Sequence, residues 1–225
     1  MPNVGATCPM VEPYYRDGLT TLYHGDARDI LPNLPRASLL LTDPPYGVNF
    51  HHTATTREWA TIHGDDDDTM ARWLFTRLDC ADDAVVFGAH CFPHLLPHRG
   101  RWICWDKRVT EAADRMLGAP FEMAWTSRRS GFERMYRILH GGVVNDDGGR
   151  RVHPTQKPVR LFSRILADMF PDAASVVDPF AGSGSVLVAA RLCGVPSVGI
   201  EIDKGYCDAI AERLAQGVLF GMGRE

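Results

Sequence analysis

One stretch limits the possible folds more than any other: VVDPFAGSGSVLVAARLCGVPSVGIEID, residues 176–203. An apolar run enters Asp178, and a glycine-rich turn follows. Then come a helical pattern over Gly184 to Cys193 and a second apolar run, Ser197 to Ile202. Two strands of one sheet joined through a helix run parallel, so this segment reads as a βαβ unit. The rest of the chain repeats the theme. Thr20 to His24 reads as a strand stopped by Gly25-Asp26, and Ser38 to Thr42 as a continuous apolar strand buried on both faces. Ala84 to Phe87, Arg101 to Trp105, Phe121 to Thr126 and Ser175 to Val177 read as further strands. Helical spacing covers Thr69 to Cys80, with the run Asp65 to Asp68 as a solvated N-cap, and also Pro158 to Phe170 and Tyr206 to Gln216. The pattern predicts one domain over residues 1–225: a doubly wound, mostly parallel, twisted α/β sheet with helices on both faces.

Only Ser127 to Arg151 breaks the alternation. It is rich in glycine and carries Arg128, Arg129, Arg134, Arg137, Arg150 and Arg151. We read it as a small loop-rich insert, residues 127–151, with at most a short helix around Phe132 to Leu139. Charge singles out the same region. Residues 1–98 hold 6 Lys/Arg against 13 Asp/Glu, residues 99–160 hold 13 against 7, and residues 161–225 hold 5 against 8. The net charge of −4 therefore conceals a positive middle third, the distribution expected of a local phosphate-binding face. Lys107 and Arg108 join the insert's arginines as candidate contacts to DNA.

Other function classes are disfavoured. No apolar stretch approaches the roughly 18 residues of a membrane span, and the first residues lack a secretory pattern, so a cytoplasmic protein is expected. The six cysteines are scattered without a Cys-x-x-Cys pair, which argues against a zinc site or a disulfide framework. His90, His94 and His98 are interrupted by Pro93 and Pro97, so no metal is expected there.

Two strand exits carry chemistry. The turn after Asp178 reads Pro179-Phe180-Ala181-Gly182-Ser183-Gly184, where glycines let a ligand approach the backbone closely. An acid about 20 residues on, Glu201, is placed to bond a ribose diol, as in dinucleotide folds. The third glycine of GxGxxG is missing, however, which disfavours a pyrophosphate cofactor. A nucleoside with a cationic amino-acid tail fits better, the tail suiting Asp178. The other exit is Thr42-Asp43-Pro44-Pro45-Tyr46-Gly47. The prolines stiffen the turn and remove two backbone donors. They leave the Asp43 carboxylate and a proline carbonyl as acceptors beside the Tyr46 ring. Two such acceptors draw the hydrogens of an aromatic NH2 group and localise its lone pair, making a poor nucleophile better.

TDPPYG, HPTQKP and DPFAGSG, in that order, resemble the beta group of the amino-methylating DNA methyltransferases, over roughly Leu22 to Leu214. The resemblance implies a circularly permuted, Rossmann-like fold of the S-adenosylmethionine-dependent methyltransferase type. It implies S-adenosylmethionine as cofactor and double-stranded DNA as partner. Asp43, Pro44, Pro45 and Tyr46 would be catalytic, with the base turned out of the duplex to reach them. Asp178, Phe180, Ala181, Gly182, Ser183, Gly184 and Glu201 would line the cofactor, with Asp26 closing over its adenine. Thr155 and Lys157 of HPTQKP would approach its methionine end, and Trp105 with Lys107 would edge the catalytic face. Asp at the first tetrad position favours adenine N6, since the family tends to carry Ser there for cytosine N4. The insert is short for target recognition, which favours a homodimer. The alternatives are cytosine N4, an RNA or protein amide as substrate, and a catalytically silent DNA-binding relative.

Overall fold

The computed structural model describes residues 11–48, 63–108, 119–139, 152, 153 and 155–216. Their strands are β1 (Tyr15–Arg16), β2 (Thr20–His24), β3 (Ala37–Thr42), β4 (Ala81–Phe87), β5 (Arg101–Asp106), β6 (Phe121–Thr126), β7 (Arg134–Arg137), β8 (Val176–Asp178) and β9 (Ser197–Glu201). The helices are α1 (Ala27–Ile30), α2 (Thr69–Phe75), α3 (Val159–Met169), α4 (Ser185–Leu192) and α5 (Lys204–Ala215). All nine strands share one sheet in the order β1-β2-β9-β8-β3-β4-β6-β5-β7. Strands β2, β9, β8, β3 and β4 run parallel, and β6 turns the direction against β4. The strands that come last in the chain, β8 and β9, lie between the early β2 and β3. That is the permuted, mostly parallel order the motifs predict.

β3 shows why the sheet is covered on both sides. Successive side chains of a strand point to opposite faces. Leu39 and Leu41 pack with Leu161, Phe162 and Ile165 of α3 and Val186 of α4, whereas Leu40 packs with Ala27 and Ile30 of α1 and Leu74 of α2. All three leucines are inaccessible to water, about 1.5–3 kcal/mol of burial each. β3 and β8 are parallel neighbours, so both motif turns emerge at the same end of the sheet.

The insert differs from expectation. Residues 134–137 form a strand parallel to β5, not part of a helix over Phe132 to Leu139. Tyr136 and Ile138, two residues apart, both enter the core, and the Trp105 indole N–H donates to the Ile138 carbonyl at 2.9 Å. An edge strand with unpaired backbone and a period-two apolar pair outweighs weak helical spacing. Residues 140–151, with Arg150 and Arg151, lie outside the described residues.

The acidic run also differs in part. Asp67 Oδ1 accepts from the Thr69 amide at 2.8 Å and Asp68 pairs with Arg72 at 2.7 Å, so these two serve the start of α2 as expected. Asp65 does not. It is 5% exposed and faces the other way, into the Asp43 turn.

Candidate active site

β3 and β8 are adjacent parallel strands, so their C-terminal turns meet. A buried hydrogen bond ties them: the Thr42 hydroxyl donates to Asp178 Oδ1 at 2.7 Å. The same oxygen accepts the Phe180 amide at 3.1 Å, which shapes the start of the glycine-rich turn. Across that turn, Glu201 accepts from the Gly182 amide at 2.7 Å and from the Asp203 amide at 2.9 Å. Gly184 has a φ of +74°, and a Cβ there would sit 2.9 Å from the Ile210 side chain, so only glycine lets α5 close over the turn. Burial pushes both Asp178 and Glu201 up to about 7.

The HPTQKP segment is brought against this turn. The Ser185 hydroxyl donates to the Lys157 carbonyl at 2.7 Å, which fastens the segment to the first turn of α4. His153 lies 4.5 Å from the Tyr206 ring, centroid to centroid, and burial pushes its imidazole down to about 4, so it is neutral. Thr155 is bonded to His153 Nδ1 at 3.1 Å. Phe180 meets Trp73 edge-on, centroids 6.3 Å apart, which places an aromatic pair beside the turn. Asp26 caps α1 at the end of β2, accepting from the Arg28 amide and pairing with its guanidinium at 2.6 Å. Two buried carboxylates, a left-handed glycine turn and flanking aromatic rings suit a nucleoside with an ammonium-bearing tail.

Asp43 leaves the end of β3 into a nest of charge. Its Oδ1 accepts the Tyr46 hydroxyl at 2.6 Å, and its Oδ2 pairs with the Lys157 ammonium. Lys157 also reaches the Tyr46 oxygen at 2.8 Å and Glu122 of β6 at 3.2 Å. The second Glu122 oxygen holds Lys107. Burial pushes Asp43 above the usual carboxylate range, opposed by Lys157. Burial alone would lower Lys157, but Asp43 and Glu122 outweigh it and hold the amine charged. Glu122, despite burial, falls to about 2 between its two lysines. Tyr46 is pushed well above its ordinary value, first by burial, and stays a neutral donor.

The turn itself is pinned from two directions. Asp65 Oδ1 accepts the amides of Tyr46 and Gly47 at 2.8 and 2.9 Å. The Tyr46 ring lies on Gly88 at the end of β4, where a Cβ would fall 1.9 Å from the ring. Pro44 is buried beside Asp43, and Pro45 half-buried.

Of the residues predicted from sequence, Asp43, Pro44, Pro45, Tyr46, Lys157 and Lys107 gather at one turn. Asp178, Phe180, Ala181, Gly182, Ser183, Gly184 and Glu201 gather at the next. The Lys157 ammonium faces Asp43 and Glu122, and only its backbone is fastened to the glycine-rich turn. The candidate DNA contacts are split. Arg137 pairs in register with Asp106, and Arg108 bonds Asp106, at the strand ends that carry Asp43. Arg134 begins β7 further back. Arg128 and Arg129 lie at the opposite end: Arg128 donates to the Met169 carbonyl and covers the Phe170 ring, and the Arg129 carbonyl holds Arg101. Glu122, Gly88 and Thr42 were not legible as site residues because strand pairing brings them there, and Asp65 because a connecting segment folds back onto the turn. Among the described residues no cluster of His, Cys, Asp and Glu could hold a metal ion, and no helix is long and apolar enough to cross a membrane.

Residues 102–212 match the N6_N4_Mtase family, described as DNA methylase. Over 257 aligned residues the chain is 36% identical to the type II methyltransferase M2.LlaDCHI of Lactococcus lactis subsp. cremoris, covering 95% of this chain and 96% of that protein. Among solved structures it is similar to the cytosine-N4-specific PvuII DNA methyltransferase, with a TM-score of 0.64 at 16% identity, over 91% of this chain and 89% of that one. It is also similar to M1.HpyAVI in complex with SAM, with a TM-score of 0.58 at 18% identity, over 87% and 99%.

Proposed function

The chain belongs to the N6/N4 family of DNA methyltransferases, and from that premise we propose that it methylates adenine N6 in double-stranded DNA with S-adenosylmethionine as donor. The observation that carries the proposal is the buried Thr42–Asp178 bond, which sets the Asp43 turn directly beside the glycine-rich turn. A group activated at Asp43 therefore lies next to whatever that turn holds.

The cofactor would supply a methyl group on a sulfonium. Glu201 would accept the ribose hydroxyls, Asp178 the amino-acid ammonium, and Asp26, Trp73 and Phe180 would border the nucleoside. Asp43 and the Pro44 carbonyl would accept the two amino hydrogens of the target base, which concentrates its lone pair toward the methyl group. The base must leave the duplex to place its amino group against a turn this enclosed. Tyr46, resting on Gly88, would offer its ring to the base plane. No covalent intermediate is needed. Lys107, Arg108 and Arg137 at the same end of the sheet would contact the phosphates around the flipped base. A homodimer, favoured by the short insert, would extend the contacted sequence and is read from the mass in solution by light scattering.

Cytosine N4 is the second reading, favoured by the fold likeness to the PvuII enzyme. The two are separated by incubating purified protein with labelled S-adenosylmethionine and mixed-sequence duplex DNA, then digesting to nucleosides for mass spectrometry. N6-methyladenine is expected. N4-methylcytosine would retain the mechanism and change the base, and no methylated nucleoside would refute the proposal. Asp43→Ala is expected to lower turnover by about a thousandfold or more while cofactor affinity stays within about threefold. Equal loss of both would refute the role given to Asp43.

A further inference from the structure

We propose that Glu122 is a positioning residue for the transfer, receiving the charge of Lys157 when the amino group of the base displaces Lys157 from Asp43. This rests on the reading of Asp43 as the amino-group acceptor. Both Asp43 oxygens already hold donors, Tyr46 on one and Lys157 on the other. An incoming amino group that approaches these oxygens competes with both donors. Glu122 Oε2 is within reach of both, 3.5 Å from the Tyr46 hydroxyl and 3.2 Å from Lys157 Nζ, but only Lys157 carries a charge that must be met there. Its side chain is 4% exposed, so an ammonium released from Asp43 cannot reach water and needs another carboxylate at once. Glu122 is that carboxylate. Its Oε2 is already 3.2 Å from Lys157 Nζ, so a small rotation completes the exchange.

Glu122 is held ready for this. Lys107 grips its other oxygen, and the side chain is 18% exposed. The Lys157 backbone is fixed by the Ser185 hydroxyl, so only the side chain needs to move. The faces of Tyr46 and Phe87, 5.3 and 5.2 Å from the ammonium, line its path. Without the charge of Glu122, Lys157 would remain on Asp43 and compete with the base. Glu122 touches neither base nor cofactor in this scheme and acts through Lys157.

Glu122→Gln keeps the shape and removes the charge. Its kcat/KM for mixed-sequence duplex DNA is expected to fall by about tenfold or more, with the dissociation constant for S-adenosylhomocysteine, by calorimetry, within about twofold of wild type. The added change Lys157→Met removes the competitor, so the double variant is expected to be more active than Glu122→Gln alone. A purely structural Glu122 would instead make the double variant no better than the single one, and that result overturns the proposal. So does a Glu122→Gln loss below about tenfold, or a parallel loss of S-adenosylhomocysteine affinity. If Glu122→Gln does not fold, Glu122→Asp carries the test, because it keeps the charge but draws it back. It is then expected to be impaired and improved by Lys157→Met, and lack of improvement overturns the proposal. Wild type assayed alongside separates the two readings: an inactive wild type refutes the methyltransferase reading itself, whatever the variants do.

Discussion

Asp178 and Glu201 are buried carboxylates whose partners are amides and one hydroxyl, and burial pushes both up to about 7. A carboxyl raised on folding holds its proton more tightly in the folded chain. The cofactor-free protein should therefore lose stability as pH rises from about 4 to about 7 and level off above that. Cofactor affinity should move the other way, because an ammonium and a diol bind an ionised carboxylate best. The dissociation constant for S-adenosylhomocysteine is expected to drop by about tenfold for each of the two carboxylates between about pH 6 and pH 8, and Glu201→Gln should reduce that slope to the share of Asp178. Calorimetry at three pH values checks this, and a flat wild-type profile would remove these two carboxylates from the cofactor site. Sequence spacing points to both acids, since each closes an apolar strand. Their protonation is not readable there, because it depends on the helices and strands that exclude water from them.

At the scale of elements, the Asp43 turn is held in place by other segments. The prolines stiffen it locally, but the amides of Tyr46 and Gly47 end on Asp65, which comes from the far side of a long connection. Asp65→Ala would leave two amides without their acceptor and should cost about 1–3 kcal/mol of stability. It should lower turnover further than that loss alone explains, because Tyr46 would leave its seat on Gly88. Thermal unfolding with steady-state rates tests the pair; unchanged turnover at the lower melting temperature would mean that Asp65 serves stability only. Asp65 reads in sequence as one of four similar acids, and nothing local separates it from its neighbours. β7 departs from its sequence reading for a related reason. Its few residues carry too little periodicity to decide, and the open edge of β5 makes the decision.

At the scale of the whole molecule, the positive charge of the described middle third is divided between two ends of the sheet. Arg137, with its side chain 70% exposed, stands at the end that carries Asp43, whereas Arg128 is bound up with Met169 and Phe170 at the other. Arg137→Ala is expected to weaken duplex binding and to reduce the salt slope by about 0.9 for each phosphate that the arginine neutralises. Arg128→Ala should leave affinity within about twofold while lowering stability by about 1 kcal/mol. DNA titrations at several salt concentrations check both, and an Arg128 effect equal to that of Arg137 would mean that DNA reaches both ends. The sequence by itself determined the alternation of strands and helices, the two strand exits, the acids that end β8 and β9, and the family whose motifs they match. Those features are local: each follows from the period of apolar residues or from a short run with its own backbone chemistry. The tertiary structure alone decided which charges meet. Glu122 and Lys157 lie far apart in the chain and carry no motif linking them to each other. They form a pair because β6 runs antiparallel to β4, which sets Glu122 at the strand end where Asp43 and Lys157 arrive.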